Sequence, residues 1–507
     1  MATVSCQVRC PVMSEPSGSP SPLTRREVVK RAAGLVTLGA GSTLVGRGVA
    51  AAASPATRTG MGGPRSDRHR VSIIGAGAGG VAAAYFLAGL HDVDVFEARP
   101  KIGGHCDSRV IDYRGQKLTV DVGAQFFHPD THPIYVTLLE ELGLFDPARP
   151  SADDTLEAPG SLCIFPAAGG PPVFSSSHPF STPERSIAFA GYTQLARDAV
   201  LSNLSWETTV GAWIRSLPVS RSFKSDVVTP WITALIGSRR ADALRASARS
   251  ILQTFALAFP ANIAQGATTY NSTIGLQGNL QRLLDRSRAV RVHVSTPVHA
   301  LTPTRAGWFV RTPAGRHGPY RAVVVNAPPL AGRRLLPTLP AFANLIEVLS
   351  AYEYFDSRVL IHTDPAYVDD DRADWASYNA EVNGRECEGS VWFGALHPPL
   401  PSGATIDVFK SWAQRRRANP THILRQRRFT HPVISRAAIQ AARALRPLQG
   451  RSGLYFSGQY TTGFDSQESA VYSAMKVAEA LAPASATLAS LTTLLAARGR
   501  AGISYEL

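Results

Sequence analysis

Three glycines and one acid carry the clearest chemistry in the chain. Gly75-Ala76-Gly77-Ala78-Gly79-Gly80 spaces its glycines as a pyrophosphate requires, and Glu97 ends the next apolar run. Gly75 permits a tight turn, Gly77 lets the backbone approach a phosphate, and Gly80 lets the following helix pack closely. The phosphates would rest on free N–H groups at a helix N-terminus, where the dipole favours an anion. A carboxylate at Glu97 can accept hydrogen bonds from a ribose.

Local elements must bring these residues together. Arg70-Val71-Ser72-Ile73-Ile74 is a β-branched run and reads as a buried parallel strand. An Ala-rich helix follows over about 81–89, then a second strand, Val93-Asp94-Val95-Phe96. Strand, glycine turn, helix, strand and acid follow in the order of a dinucleotide-binding unit.

The rest of the chain bounds the setting. It has 507 residues, 44% hydrophobic and 18% charged, which excludes a disordered chain and implies at least two domains. No repeat, heptad array or membrane-spanning apolar run is present. The net charge of +14 is nearly all arginine. One dense patch (Arg415, Arg416, Arg417, Arg425, Arg427, Arg428) has no nucleic-acid motif beside it, so a solvated surface is expected and nucleic acid is not a partner.

Thr24-Arg25-Arg26-Glu27-Val28-Val29-Lys30 reads as a twin-arginine export signal. A broken apolar stretch follows to about Ala53, where Ala51-Ala52-Ala53 offers a cleavage site. Such a route carries folded proteins with the cofactor already inserted. The destination would be the periplasm or exterior of a bacterium or, alternatively, a plastid thylakoid lumen. Beyond the leader, Cys106, Cys163 and Cys387 allow at most one disulfide, and no Cys or His pair has metal-ligand spacing, so no metal is expected. No Gly-x-Ser-x-Gly elbow argues for a hydrolase.

Beyond Glu97 comes Arg99-Pro100-Lys101-Ile102-Gly103-Gly104-His105, and then Val120-Asp121-Val122-Gly123-Ala124-Gln125-Phe126. Near the C-terminus lie Gly453-Leu454-Tyr455-Phe456-Ser457-Gly458-Gln459 and Gln467-Glu468-Ser469-Ala470-Val471-Tyr472-Ser473-Ala474, the latter opening a helix to about Leu481. In these motifs the chain resembles the flavin-containing amine oxidase superfamily, the glycine-doublet flavoproteins. Monoamine oxidases, phytoene desaturases and polyunsaturated fatty acid isomerases belong to it. Gly103-Gly104-His105 and Trp375-Ala376-Ser377-Tyr378-Asn379 are most similar to a bacterial subgroup of predicted FAD-binding proteins with Gly-Gly-His in place of Gly-Gly-Arg.

The resemblance implies FAD. It places Gly75, Gly77, Ala78, Gly79, Gly80, Glu97, Ala98, Gly103, Gly104, His105, Gly123, Ala124, Gln125, Phe126, Val298, Gly458, Gln459, Ser469, Ala470 and Val471 against the cofactor. It also implies an α/β fold: a Rossmann-like FAD-binding domain from 68–130, 275–335 and 450–483, and an α+β substrate domain from 131–274 and 336–449. The leader, 1–53, and a helical tail, 484–507, flank them. Runs at 290–298, 308–310 and 321–327 read as strands, 158–172 as a surface loop, and 410–430 as a basic helix.

Departures from the family bear on substrate. His105 stands for an arginine, Gln459 for an acid, and Ser466 for one aromatic of an amine cage. Without a cage, cation–π recognition of an amine loses its basis. The expected activity is therefore an FAD-dependent oxidoreductase acting on a hydrophobic or unsaturated small molecule, with hydride transfer to flavin N5. Amine oxidase, redox-neutral polyunsaturated fatty acid isomerase and non-enzymatic flavin protein are the alternatives. His128 and Tyr378 are the candidate catalytic residues, since histidine suits proton transfer near neutral pH. Besides the substrate, the expected partners are the export machinery, transiently, and a membrane surface.

Overall fold

The computed structural model describes residues 68–149, 154–179, 183–261, 266–416 and 418–507. The twin-arginine segment lies outside the described residues.

Arg70–Ile74 and Asp92–Phe96 form adjacent parallel strands, with Ile73 opposite Val95 and Ile74 opposite Phe96. Three more short apolar runs complete a five-stranded parallel sheet in the order Leu454–Phe456, Ala322–Val325, Arg70–Ile74, Asp92–Phe96, Val290–His293. A parallel sheet is covered on both faces, which is why Ala322–Val325 is buried at every position. The helix Ala78–Leu87 is likewise buried almost all round. It packs against the helix Gln467–Leu481, and the glycines and alanines of the first and the alanines of the second permit that approach.

Asp94 fastens three strands at the sheet's outer side. It accepts hydrogen bonds from Arg70, Arg291, His293 and Tyr320. Burial alone would raise its carboxyl, but those donors outweigh burial and hold it well below the usual range.

A second, mixed sheet of seven strands runs in the order Ile423–Pro432, Tyr354–His362, Phe409–Trp412, Glu386–Trp392, Tyr378–Asn383, Leu162–Pro166, Phe174–Ser175. Helices from Pro183–Leu201 to Ala248–Gln253 cover one region of it. Tyr192, Trp213, Phe223, Trp231 and Phe255 form an aromatic core with Ile164, Tyr378 and Val391.

Three expectations are corrected here. The basic helix at 410–430 is two strands, Phe409–Trp412 and Ile423–Pro432. Its arginines alternate with period two: Arg427 reaches Asp107, while Arg428 is exposed. The loop at 158–172 holds the end of one strand, Thr155–Gly160, and all of another, Leu162–Pro166, whose Cys163 and Ile164 are fully buried. Within 290–298 only Val290–His293 is strand, and Val298 lies in coil. Cys106, Cys163 and Cys387 are all free and buried.

Candidate active site

A cavity of about 600 Å³ opens at the C-terminal ends of the parallel strands, facing the seven-stranded sheet. Ligands of open α/β sheets bind at that end, where loops diverge and helix N-termini point inward.

The glycine turn forms one wall. Gly75 takes φ +101°, a conformation closed to most residues, and its amide donates to the Phe96 carbonyl at 2.8 Å. Gly77 caps the helix Ala78–Leu87 with no side-chain hydrogen bond, leaving amides of the first turn free for an anion. A Cβ on Gly80 would come within 2.0 Å of the Gly75 carbonyl oxygen. Gly80 thus serves the fold of the turn and does not line the cavity.

Asn326 holds this turn from the neighbouring strand. Its Nδ2 donates to the Gly75 carbonyl at 3.1 Å, and it also lines the cavity. Sequence reasoning missed it. The available signal was a polar residue directly after the buried strand Ala322–Val325, at a ligand-bearing strand end.

The second and third motifs pack on the first. The Gly103 amide donates to the Ala76 carbonyl at 2.8 Å. A Cβ on Gly104 would sit 3.2 Å from Gly77 Cα, and one on Gly123 only 1.8 Å from the His105 carbonyl oxygen. Backbone thus lies against backbone at both contacts. Glu97 accepts the amides of Ala76 and Arg99, each at 2.8 Å, and still presents its carboxylate to the cavity.

The closing helix supplies the opposite side. Ser466 caps it by accepting the Ser469 amide at 3.4 Å, and Gln467 Nε2 donates to the Phe126 carbonyl at 2.8 Å. Gly458, Gln459 and Ala470 line the cavity, as do Ala78, Gly79, Ala98, Ala124, Gln125, Phe126 and Val298. Ser469 and Val471 do not: the first turns its hydroxyl to the Phe464 and Ser466 carbonyls, and the second is buried in the core.

His105 lines the cavity with its ring stacked on Phe429 and tilted against His431. Its Nε2 is buried without a partner among the described residues. Burial, then the nearby Arg99 charge, lowers its pKa to about 4, so it is neutral at pH 7. His431 falls to about 3 through burial and the neighbouring His105 and Lys410.

Lys410 is a second missed residue. It reaches in from the strand Phe409–Trp412, 2% exposed, and donates to the Gly123 carbonyl at 2.6 Å and Gln125 Oε1 at 3.0 Å. Burial lowers its pKa to about 8, with Asp121 opposing the shift. One of six lysines in the chain, it sits between Phe409 and Trp412, and a lysine inside an aromatic strand was the signal available.

The candidate catalytic residues are both occupied. His128 is not among the lining residues; its Nδ1 accepts the Asp130 amide at 3.1 Å. One helical turn on, His132 does line the cavity. Tyr378 borders it, but its hydroxyl donates to the Ala234 carbonyl at 2.6 Å, and burial pushes the phenol far up. The neighbouring Asn379 bonds back to Ala376, so Trp375–Asn379 acts as a local clasp.

Bare helix amides, glycines whose Cβ would strike backbone, and a buried ring nitrogen of His105 with no partner among the described residues all fit a dinucleotide cofactor rich in phosphate and hydroxyl groups.

Residues 78–354 match the family described as flavin containing amine oxidoreductase. Tryptophan 2-monooxygenase of Pseudomonas savastanoi is 33% identical over 109 residues, which span 20% of this chain and 19% of that protein. Among solved structures, a CLA-producing fatty acid isomerase from P. acnes superposes with a TM-score of 0.58 at 14% identity, over 82% of this chain and 99% of that one. Cyclohexylamine oxidase from Brevibacterium oxydans IH-35A gives 0.55 at 17% identity, with the same 82% and 99% coverage. These two likenesses concern the fold. The family match takes in more than half of the chain, so the protein belongs to the flavin containing amine oxidoreductase family and is a flavin-dependent oxidoreductase.

Proposed function

We propose that the flavin is FAD and that the substrate is a hydrophobic or unsaturated small molecule oxidised within the cavity. The observation carrying this reading is the apolar wall facing the glycine cradle, to which Leu235, Ile236, Ile251, Val359, Phe355 and Ile434 contribute. Such a wall favours hydrocarbon and excludes water from the reacting carbon. Bound FAD supplies hydride acceptance at N5.

The chain's own groups set the electrostatics. The Lys410 ammonium and the N-terminus of the helix Gln467–Leu481 both present positive charge to the cavity. The neutral imidazoles of His105 and His431 add none.

An amine oxidase remains the second reading, favoured by the Asp465 carboxylate on the cavity wall. A redox-neutral isomerase is the third; its support is the fold shared with the P. acnes enzyme. Export in folded, cofactor-loaded form belongs to the same proposal and rests on Arg25-Arg26 and the alanines that follow.

The test is a visible spectrum of the purified protein before and after denaturation, followed by anaerobic bleaching with amines and with unsaturated lipids. A flavin spectrum, FAD in the supernatant and bleaching by an apolar substrate support the proposal. A product of unchanged mass would favour the isomerase instead. A folded, colourless protein that takes up no added FAD overturns it.

A further inference from the structure

A second groove, of about 970 Å³, lies at the opposite end of the parallel sheet from the glycine cradle. It opens where the strands Arg70–Ile74, Ala322–Val325 and Leu454–Phe456 begin. The turn between the strands Ala300–Thr304 and Gly307–Thr312 forms one side. A five-residue strand separates the two ends. At the usual rise per residue that is roughly 15 Å, so the groove is distinct from the cofactor cavity.

Four arginines line it: Arg68, Arg70, Arg305 and Arg321. Among the described residues no acid does so. Arg68 and Arg70 are paired with Asp92 and Asp94, neither of which lines the groove. Arg305 and Arg321 are exposed, and their side chains make no hydrogen bond or ion pair with any described residue. The arginines at the strand ends are also neighbours. The Arg321 amide donates to the Arg70 carbonyl at 2.9 Å, and Val71 then stands opposite Ala322. Adjacent strands run about 4.8 Å apart, so two cationic residues start side by side. Like charges so placed repel. Asp94 does not settle that repulsion, because it also serves Arg291. The His69 ring and the Tyr455 hydroxyl, without hydrogen-bond partners among the described residues, border the same space.

We propose that this groove is a second ligand site, built for a compact multivalent oxyanion of the oligophosphate class. Arg305 and Arg321 grip the anion, and Arg68 and Arg70, already oriented by their acids, flank it. A guanidinium offers paired N–H donors that match phosphate oxygens, and it cannot shed its charge to relieve the crowding. An anion between the arginines replaces their repulsion with charge-assisted hydrogen bonds. A groove, unlike a flat patch, encloses a small ligand and gives a protein or membrane little to rest on. The site is independent of the flavin chemistry proposed above.

The experiment is calorimetric titration of the full-length protein with tripolyphosphate, phosphate and citrate. One tripolyphosphate should bind per chain, about tenfold or more tighter than phosphate or citrate. Its affinity should fall about tenfold between about 50 mM and about 200 mM NaCl, as screening grows. R305E/R321E should abolish binding while keeping its circular dichroism and its flavin content. R305K/R321K keeps the charge but loses the fork, and should bind several-fold more weakly. If R305E/R321E fails to fold, R305A at the tip of the turn carries the same reading, with about fivefold loss. R385E/R428E makes the same change in net charge at exposed arginines elsewhere and should bind as the wild type does. Absence of wild-type binding, unchanged binding by R305E/R321E, or citrate held as tightly as tripolyphosphate overturns the proposal. Several equivalents per chain, or equal loss in R385E/R428E, overturns it too, because general surface charge would then suffice. So does binding to phosphatidic acid vesicles without binding to tripolyphosphate. None of these readings needs the flavin, so failure here and failure of the proposed oxidation are separate results.

Discussion

Single side chains decide how the cofactor is held and tuned. Asn326 gives the glycine turn one hydrogen bond from a neighbouring strand. Such a bond is worth about 1 kcal/mol, or roughly fivefold in affinity. Asn326→Ala should therefore weaken flavin binding about fivefold, as measured by fluorescence titration of the stripped protein, without changing the far-UV spectrum. Lys410 places a buried cation beside Gly123 and Gln125. Lys410→Met should lower the midpoint potential of the bound flavin by roughly 30 mV, equivalent to ~1.4 kcal/mol for two electrons. Because its ammonium titrates at about 8, the gap between wild type and variant should shrink as pH rises through 8. Spectroelectrochemistry at pH 7 and pH 9 checks both statements. Neither residue belongs to a named motif. Each was readable only as a polar residue in the wrong company, Asn326 after an all-apolar strand and Lys410 between aromatics.

At the scale of elements, the three glycine motifs behave as one object. Gly103 is hydrogen-bonded to Ala76, and Gly123 lies against the His105 carbonyl. A methyl at Gly123 meets backbone oxygen at 1.8 Å, which no side-chain motion relieves. Gly123→Ala should cost at least about 3 kcal/mol and release the flavin. Differential scanning calorimetry and the flavin-to-protein absorbance ratio report the two effects. The strand-turn-helix-strand unit and the closing helix Gln467–Leu481 were legible because apolar runs bounded by glycine and a Ser466 cap specify them locally. The strand Ile423–Pro432 was not. Its run of arginines carries no apolar alternation, and its period shows only in its partners: Arg427 meets Asp107, while Arg428 stays exposed. The strand Leu162–Pro166 was hidden by prolines and glycines on either side. Its pairing with Tyr378–Asn383 is long-range, and local composition says nothing about it.

For the molecule as a whole, acid should destabilise. Burial holds five histidines neutral: His105, His362 and His397 near 4, His132 and His431 near 3. In the unfolded chain each takes up a proton at about 6.5. The stability owed to these histidines is fully present above pH 6.5 and is lost as pH falls toward 4. Asp121, Asp465 and Glu468, raised to about 7 by burial, act in the opposite sense between about 4 and 7. Three such acids stand against five histidines. The Tm should therefore drop by several degrees between pH 7 and pH 5, and a rise over that interval in thermal melts would contradict this balance.

The last turn of chain has a practical side. Tyr505, 5% exposed, donates to Glu468 at 2.8 Å, and Glu468 in turn accepts the amides of Ile134 and Tyr135. Leu507 packs where any side chain on Gly463 would need to be, two residues before Asp465. A protease that clips behind Arg500, or a bulky purification handle fused at Leu507, disturbs the loop that shapes the cavity mouth. Limited digestion at the carboxyl end therefore doubles as a gauge of whether that loop is seated. A reporter fused there would be read through a fault of its own making.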